Sequence, residues 1–186
     1  MRNQTTVMSP IIVRIIETTR LLLRQHSLDE LGGYTELWST TTSEFAGVQN
    51  IPPLSQEEIW ARLLRFIGHW TVFGFGPFIV VDKATDTTVG EVGFAHFYRG
   101  HGEPFDNAPE AMWKIDRRYQ GRGFASEAVQ TAIDWFDEQR LAKRTVCMID
   151  PQNIASLRIA EHFSFHQFRN AVYRSNPVFL FERMAG

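Results

Sequence analysis

The sequence predicts an α/β fold, more closely an α+β fold with one mixed sheet, of about seven strands flanked by about four helices. Short β-branched runs alternate along the chain with segments whose apolar residues recur at helical spacing. Clusters of turn residues separate these segments, and neither a repeat nor a long linker divides them. The 186 residues, 44% of them hydrophobic, are enough for one sizeable core, because domains commonly span roughly 100–200 residues.

Residues 1–16 are predicted to form an N-terminal arm, partly flexible, and residues 17–186 a single domain. The first residues are polar, and the run "IIVRIIETTRLLLR" that follows is apolar and β-branched except for a short polar break. This run predicts an extended arm that leads into a first strand around Arg20–Arg24. Met8 is an alternative natural start to Met1, and the sequence leaves that choice open.

Two helices and a hairpin are predicted next. The segment from Leu28 to Trp38 has helical spacing, although two adjacent glycines weaken the pattern. Ser55 followed by Glu58 forms a capping box, and the apolar residues behind it predict a helix over about 56–70. The run "PFIVVDKATDTTVGEVGF" has the strand–turn–strand pattern of a hairpin, which supplies the second and third strands.

The second half of the chain alternates strands and helices and ends in another hairpin. "EAMWKID" is the fourth predicted strand and "RTVCMID" the fifth, with an amphipathic helix over 123–139 between them. A further helix begins near Asn153. The last two strands, "RNAVYRS" and "PVFLFERM", meet at a turn around Ser175-Asn176-Pro177.

Composition excludes several classes of protein. A net charge of −2 argues against electrostatic binding to nucleic acid, which needs a concentrated basic face. One cysteine, Cys147, rules out an internal disulfide and a multi-cysteine metal site, and no metal is expected. No apolar run approaches the roughly 20 residues that span a bilayer, and no signal peptide is evident. We therefore expect a cytoplasmic protein with no nucleic-acid or membrane partner.

The stretch "IDRRYQGRGFASEAVQ", residues 115–130, predicts an anion-binding loop. Its two glycines allow successive N–H groups to point into one small volume, and the helix that follows adds its own unpaired N–H groups and dipole. Phosphate or pyrophosphate suits such a site, with Arg117, Arg118 and Arg122 as nearby charges. A dinucleotide-binding fingerprint fits less well because position 143 is Lys where an acidic residue is expected. A solvated turn is the remaining alternative.

Beyond the loop, the whole chain resembles the GCN5-related N-acetyltransferase (GNAT) superfamily, and its RimJ/RimL-like branch in particular. The run "QGRGFA" at residues 120–125 is similar to the family signature Q/R-x-x-G-x-G/A. "TTRLLLR", "VGEVGF" and "NIASLRIAEHFSF" resemble further family segments in the same order. The resemblance covers roughly residues 17–183.

The resemblance implies a splayed mixed sheet that holds acetyl-CoA between the fourth and fifth strands. Loop N–H groups would bind the pyrophosphate, the fourth strand would pair with the pantetheine arm, and Asn153 would contact the cofactor where the last helix begins. Asn is also a common helix cap and needs no ligand there. The residues that match the family's cofactor-binding positions are Lys114, Ile115, Asp116, Gln120, Gly121, Arg122, Gly123, Phe124, Ala125, Asn153 and Ser156.

Two carboxylates are candidates for the general base that the reaction needs, because a lysine-like amine titrates near roughly 10.4. Glu110 opens the fourth strand at a position where several family members carry a catalytic glutamate, and Glu91 on the third strand is the second candidate. The last motif departs from the family pattern at two positions. Ala160 takes the place of the tyrosine often assigned as general acid, and Ser164 that of a glycine.

The resulting hypothesis is an acetyl-CoA-dependent N-acetyltransferase. It would transfer the acetyl group to a primary amine, of a small molecule or of a protein or peptide N-terminus, by direct attack in a ternary complex. Aromatic residues together with Glu103 and Asp106 would suit a cationic acceptor. A non-catalytic acyl-CoA-binding sensor is the alternative that Ala160 keeps open, and the protein could act as a homodimer.

Overall fold

The computed structural model describes residues 14–39 and 53–186, so most of the predicted arm and both candidate start methionines lie outside the described residues. The strands are β1 (Ile15–Glu17), β2 (Leu21–Gln25), β3 (Pro77–Asp82), β4 (Thr87–Ala95), β5 (Glu110–Ile115), β6 (Arg144–Ile149), β7 (His166–Tyr173) and β8 (Asn176–Met184). They form one mixed sheet in the order β1-β2-β3-β4-β5-β6-β8-β7. The predicted fold class is confirmed, and the extra strand arises because β1 pairs antiparallel with β2.

The described residues contain four α-helices and two short 3-10 turns. The helices are α1 (Leu31–Ser39), α2 (Gln56–Phe73), α3 (Phe124–Glu138) and α4 (Ile154–His162), and the turns are Leu28–Glu30 and Arg117–Tyr119. The expected helix from Leu28 is therefore a 3-10 turn followed by α1, which contains the glycine pair.

The second helix shows how local sequence fixes an element. Ser55 Oγ accepts a hydrogen bond from the Glu58 N–H at 3.2 Å, and the Glu58 carboxylate accepts one from the Ser55 N–H at 2.8 Å, which completes the predicted capping box. The helix ends where Gly74 adopts φ 71 and its N–H donates to Trp70 O at 3.0 Å. Glycine suits this left-handed cap because it has no Cβ to clash.

The helices cover both faces of the sheet. Alternate residues of a strand point to opposite faces, and in β3 the side chains of Ile79 and Val81 pack with those of α1 and α2. Phe78 and Val80 of the same strand pack with α3 and Ala160 of α4. Helices α1 and α2 thus lie on one face, and α3 and α4 on the other.

The sheet opens between its two central parallel strands. β4 pairs with β5 over six residues, whereas β5 and β6 share a single registered pair, Glu110 with Val146. Beyond that pair the strands diverge toward their carboxyl ends, where the loop after β5 and the start of α4 lie. The splay predicted from the family resemblance is therefore present.

The C-terminal hairpin completes the sheet as expected, with its turn at Arg174 and Ser175 in left-handed backbone conformations. None of the helices in the two described segments is long and apolar enough to cross a bilayer.

Candidate active site

A cavity of about 820 Å³ occupies the splay between β5 and β6. Its walls are β5, the loop that follows it, the first turn of α3, the C-terminal half of β6 and the first two turns of α4. Pockets for cofactors and small molecules commonly have volumes of roughly 300–1,000 Å³. The cavity is therefore large enough for an extended ligand.

Nearly all the predicted cofactor-binding residues meet in this cavity. Of the eleven, Arg122 alone is not among its lining residues. Arg122 still shapes the loop, since its carbonyl accepts a hydrogen bond from Arg20 Nη1 at 2.8 Å. The lining residues that had been predicted are Lys114, Ile115, Asp116, Gln120, Gly121, Gly123, Phe124, Ala125, Asn153 and Ser156.

The loop from residue 120 to residue 126 is built as an anion cradle. Gly121 and Gly123 adopt φ values of 73 and 78, which side-chain-bearing residues rarely take. The Gly123 N-cap offers no side chain to the first turn of α3. Among the described residues, no backbone carbonyl accepts from the N–H groups of residues 121–126. These donors and the positive end of the helix dipole face one end of the cavity.

The arginines around the loop differ from the expectation. Arg118 does not supply a free charge, because it pairs with Asp116 at 2.7 Å and with Glu36 at 3.0 Å. The guanidinium of Arg122 lies 5.0 Å from the centre of the Tyr119 ring, outside the cavity lining. Arg117 does line the cavity. The backbone N–H groups are thus the main anion-binding feature. Arg117 is the one arginine of the three that lines the cavity without forming an ion pair with a described residue.

The strand β5 presents part of its backbone to the gap. Asp116 N–H donates to Val89 O of β4 at 2.8 Å, and Asp116 O accepts from Tyr119 N–H, so this residue's backbone is already used. Backbone groups of a strand alternate between its two neighbours. The groups of Trp113 and Ile115 therefore point toward β6, which has diverged from them.

The start of α4 closes the opposite wall. Asn153 caps the helix, accepting from the Ser156 N–H at 3.0 Å, while it also lines the cavity. Ser156 Oγ accepts from Trp113 Nε1 at 3.2 Å, which ties α4 to β5 across the splay. The capping and the cavity-lining roles of Asn153 are thus compatible.

Glu110 lies inside the cavity as half of a buried ion pair. Arg99 Nε and Nη2 donate to its two carboxylate oxygens at 2.9 and 2.8 Å, and Arg99 Nη1 donates to the Tyr173 hydroxyl at 3.2 Å. Burial raises the pKa of Glu110 above its ordinary value, even though Arg99 acts in the opposite direction. Nothing near Arg99 in the sequence signals this pairing, because its loop must fold back on β5 to form it.

Glu91 lies outside the cavity lining and is fully buried. Its carboxylate accepts from His26 Nε2 at 2.9 Å, from the Tyr34 hydroxyl at 2.8 Å and from Arg62 Nη2 at 2.6 Å. Burial opposes ionisation of this carboxyl, but Arg62 and the His26 hydrogen bond outweigh it and lower the pKa of Glu91 to about 2. These hydrogen bonds join β4 to α1, to α2 and to the residue that follows β2.

The last motif departs from the family pattern in two different ways. Ala160 is fully buried in the main core and is not a lining residue, whereas its neighbour Ile159 is. Ser164 adopts φ 59, the left-handed conformation for which glycine is usual, so the turn after α4 keeps its shape. Cys147 lines the cavity, and burial raises the pKa of its thiol well above the ordinary range.

No cluster of three or more metal-binding side chains occurs within residues 14–39 and 53–186. The acidic residues expected to attract a cationic acceptor are held within their own loop. Asp106 accepts from the N–H groups of Gly100 and Gly102 at 3.2 and 2.6 Å, and Glu103 accepts from Asn107.

Comparison with known proteins agrees with this geometry. The acetyltransferase (GNAT) domain model matches residues 20–166. A structure from Bordetella pertussis assigned to the GnaT acetyltransferase family is 30% identical, with a TM-score of 0.83, and the match covers 91% of this chain and 99% of that one. The p20 protein of Bacillus licheniformis, described as an uncharacterized N-acetyltransferase, is 27% identical over 81% of each chain.

The fold also matches ribosomal-protein acetyltransferases. A Salmonella typhimurium acetyl transferase described as modifying the N-terminal serine of ribosomal protein L7/L12 is 18% identical, with a TM-score of 0.71, covering 93% of this chain and all of that one. A Vibrio fischeri ribosomal-protein-S5-alanine acetyltransferase has a TM-score of 0.69 at 19% identity, covering 92% and 97%. These two likenesses concern the fold. The family model spans most of the chain, and this protein belongs to the GNAT acetyltransferase family.

Proposed function

We propose that the protein transfers the acetyl group of acetyl-CoA directly to a primary amine bound beside Glu110. The observation that carries the proposal is one continuous cavity with an anion cradle at one end and a buried carboxylate at the other. A ligand with a diphosphate at one end and a reactive thioester at the other suits these two ends.

Acetyl-CoA would bind as an extended substrate. The free N–H groups of residues 121–126 would hold the pyrophosphate, with Arg117 adding charge at the same end. The pantetheine arm would pair with backbone groups of Trp113 and with the N–H of Ile115, whose carbonyl already accepts from Gln120 Nε2 at 3.2 Å. Asn153 and Ser156 would flank the arm from α4. A donor from β5 directed at the thioester oxygen would stabilise negative charge there, as preorganised donors do in acyl transfer.

The chemical step then needs one proton acceptor. The amine nitrogen attacks the thioester carbonyl, a C–N bond forms, the C–S bond breaks, and the thiolate leaves. The proton lost by the amine passes to Glu110, directly or through water, and the thiolate is protonated from solvent. A carboxylate offers about four lone-pair positions and Arg99 uses two, so Glu110 can accept from an amine without losing its ion pair.

Glu91 fits the role of base less well than Glu110. A general base works best when its pKa is close to the working pH, and Arg62 and His26 hold that of Glu91 at about 2. Its three hydrogen bonds also occupy it on the α1 and α2 side. Burial moves the pKa of Glu110 in the useful direction.

The absence of a tyrosine at position 160 does not argue for the sensor alternative. Ala160 points into the core, so a side chain there would not reach the cavity without repacking. Cys147 supports direct transfer over a thiol intermediate, because its raised pKa keeps the thiol protonated and poorly nucleophilic.

The test is two-substrate kinetics. Thiol release from acetyl-CoA is measured over a panel of amino acids, peptides, polyamines and amino sugars. Acetylation with intersecting initial-rate lines is expected. CoA binding by calorimetry with no turnover for any amine would instead support the sensor, and parallel lines would indicate a covalent intermediate.

A further inference from the structure

The strand β5 divides its side chains between the two sides of the sheet. Lys114 Nζ lies 4.2 Å from the centre of the Trp38 ring of α1, and Met112 packs against Phe66 of α2. Because residues two apart share a face, Glu110 points to the same side. An amine that reaches Glu110 therefore approaches along the face that α1 and α2 cover.

On this face, three arginines and two phenylalanines contact one another in a row that ends at Glu110, and Arg99 of this row lines the cavity. We call the row the arginine ladder: Arg62, Phe66, Arg65, Phe97 and Arg99. The guanidinium carbons of Arg62 and Arg65 lie 4.7 and 4.8 Å from the centre of the Phe66 ring. Those of Arg65 and Arg99 lie 5.5 and 4.4 Å from the centre of the Phe97 ring. The two rings pack edge to face at 6.2 Å.

The ladder is neutralised at its two ends and not in the middle. Arg62 pairs with Glu91 at 2.6 Å and Arg99 pairs with Glu110 at 2.8 Å. Arg65 makes no ion pair or hydrogen bond with any residue in segments 14–39 and 53–186, and its contacts are the two aromatic faces. Desolvation and the neighbouring charge of Arg62 lower its pKa, and an arginine nonetheless stays protonated in water.

We propose that Arg65 binds an anionic group of the acceptor, so that the preferred acceptor is a primary amine with a carboxylate close to it. A carboxylate there would pair with the one unneutralised guanidinium of the ladder and relieve its repulsion by the other two. Arg65 and Arg99 both contact the Phe97 ring, and Arg99 pairs with Glu110. The amine of the same molecule would therefore lie near Glu110. This inference rests on the proposed function, and it selects the class of amine.

The same charges disfavour polyamines. Arg62 and Arg99 pair with Glu91 and Glu110, and Arg65 adds a positive charge that no described carboxylate pairs with. A polyamine placed beside these arginines would be repelled by their like charge.

The experiment uses matched acceptors that differ in one charge. A tripeptide with a free N-terminus and aspartate at its second position is compared with the same peptide carrying asparagine there. A free amino acid and its amide form a second pair, which separates a small-molecule source of the carboxylate from a peptide source. The readout is kcat/KM for thiol release by wild type, Arg65→Gln, Arg65→Lys and Arg65→Glu.

We expect Arg65→Gln to lower kcat/KM for the aspartate peptide about tenfold or more, as for one lost charge-assisted hydrogen bond. The asparagine peptide and the affinity for acetyl-CoA should change little. Arg65→Lys should recover part of the loss, and Arg65→Glu should reverse the preference. Lys143→Gln, which removes a positive charge from an exposed residue outside the cavity lining, should behave as wild type. The melting temperature of Arg65→Gln should fall only slightly, since two aromatic contacts but no ion pair are lost.

Equal loss for both peptides, or no loss for either, would overturn the assignment of Arg65. Calorimetric measurement of the binding of the same peptides to the CoA-loaded protein distinguishes a failure of the anion site at Arg65 from a failure of the proposed acetyl transfer. Charge-dependent binding that disappears in Arg65→Gln, without turnover of any amine, would refute acetyl transfer and support the anion site. Turnover with no charge preference would refute the anion site alone.

Discussion

A carboxylate placed in the glycine loop should weaken CoA binding strongly without unfolding the protein. Gly121 has φ 73, and a Cβ there would meet nothing within 4 Å, so the substitution Gly121→Asp has room. Gly74 at the end of α2 has φ 71 and the same free space, which makes Gly74→Asp a matched control. Both variants bear the same backbone strain, about 1–2 kcal/mol for a side chain at positive φ, and they differ in which site receives the charge.

The magnitude follows from Coulomb repulsion between the new carboxylate and the pyrophosphate. At roughly 5 Å and an effective dielectric constant of about 20, two unit charges repel by about 3 kcal/mol. This corresponds to about a 100-fold rise in the Kd for CoA. Gly121→Asn, with nearly the same shape and no charge, should lose much less, and higher salt should reduce the effect of the aspartate.

The assay is isothermal titration calorimetry with CoA, alongside thermal melts of all three variants. Comparable melting temperatures for Gly121→Asp and Gly74→Asp would show that strain is matched. If Gly121→Asp then bound CoA within about threefold of the control, the pyrophosphate would not lie at this loop.

Three further predictions concern the carboxylates and α4. Glu110→Gln should lower turnover by roughly 10²–10⁴ with acetyl-CoA affinity unchanged. The loss should shrink as pH rises and more amine is neutral, and the acid limb of the wild-type profile, displaced upward by the raised pKa of Glu110, should vanish in the variant. Glu91→Gln should cost about 3–5 kcal/mol in urea unfolding, because it breaks the buried ion pair between Glu91 and Arg62. The pKa of Glu91 in the folded protein is about 2, below its ordinary 4.5. Its ionisation therefore contributes about 3 kcal/mol to the free energy of unfolding above pH 4.5, and this contribution is lost as pH falls toward 2. An unchanged acid transition in Glu91→Gln would contradict this. Ala160→Tyr should lower the unfolding free energy by about 1–3 kcal/mol through overpacking, and a large gain in turnover would show instead that the position faces the thioester.

Local patterns predicted the elements of the fold because their causes are local. The capping box at Ser55 and Glu58, the strand runs and the closing turn each lie within a few residues, and each is present. The anion loop was predictable for the same reason, since Gly121 and Gly123 act through their own backbone angles.

The electrostatics of the site could not be predicted in this way. Arg118 was expected to face the ligand, but its charge is neutralised by ion pairs with two carboxylates. One is Asp116, two residues earlier, and the other is Glu36, far away in the sequence. The pairing of Arg99 with Glu110 depends on how a loop folds back, and that of Glu91 with Arg62 on how α2 packs against the sheet. Such contacts are set by tertiary structure, so the sequence contains both partners but does not show that they pair.

The most direct test of the central claim is a single turnover with acetyl-CoA labelled with ¹³C at the thioester carbonyl. Excess enzyme is mixed with the labelled substrate and an acceptor, and the carbon is followed by NMR and mass spectrometry. We predict that the label moves in one step from the thioester to an amide on the acceptor, at the rate of thiol release. Label that appears first on the protein, at Cys147 or elsewhere, or a thioester that no amine consumes, would contradict it.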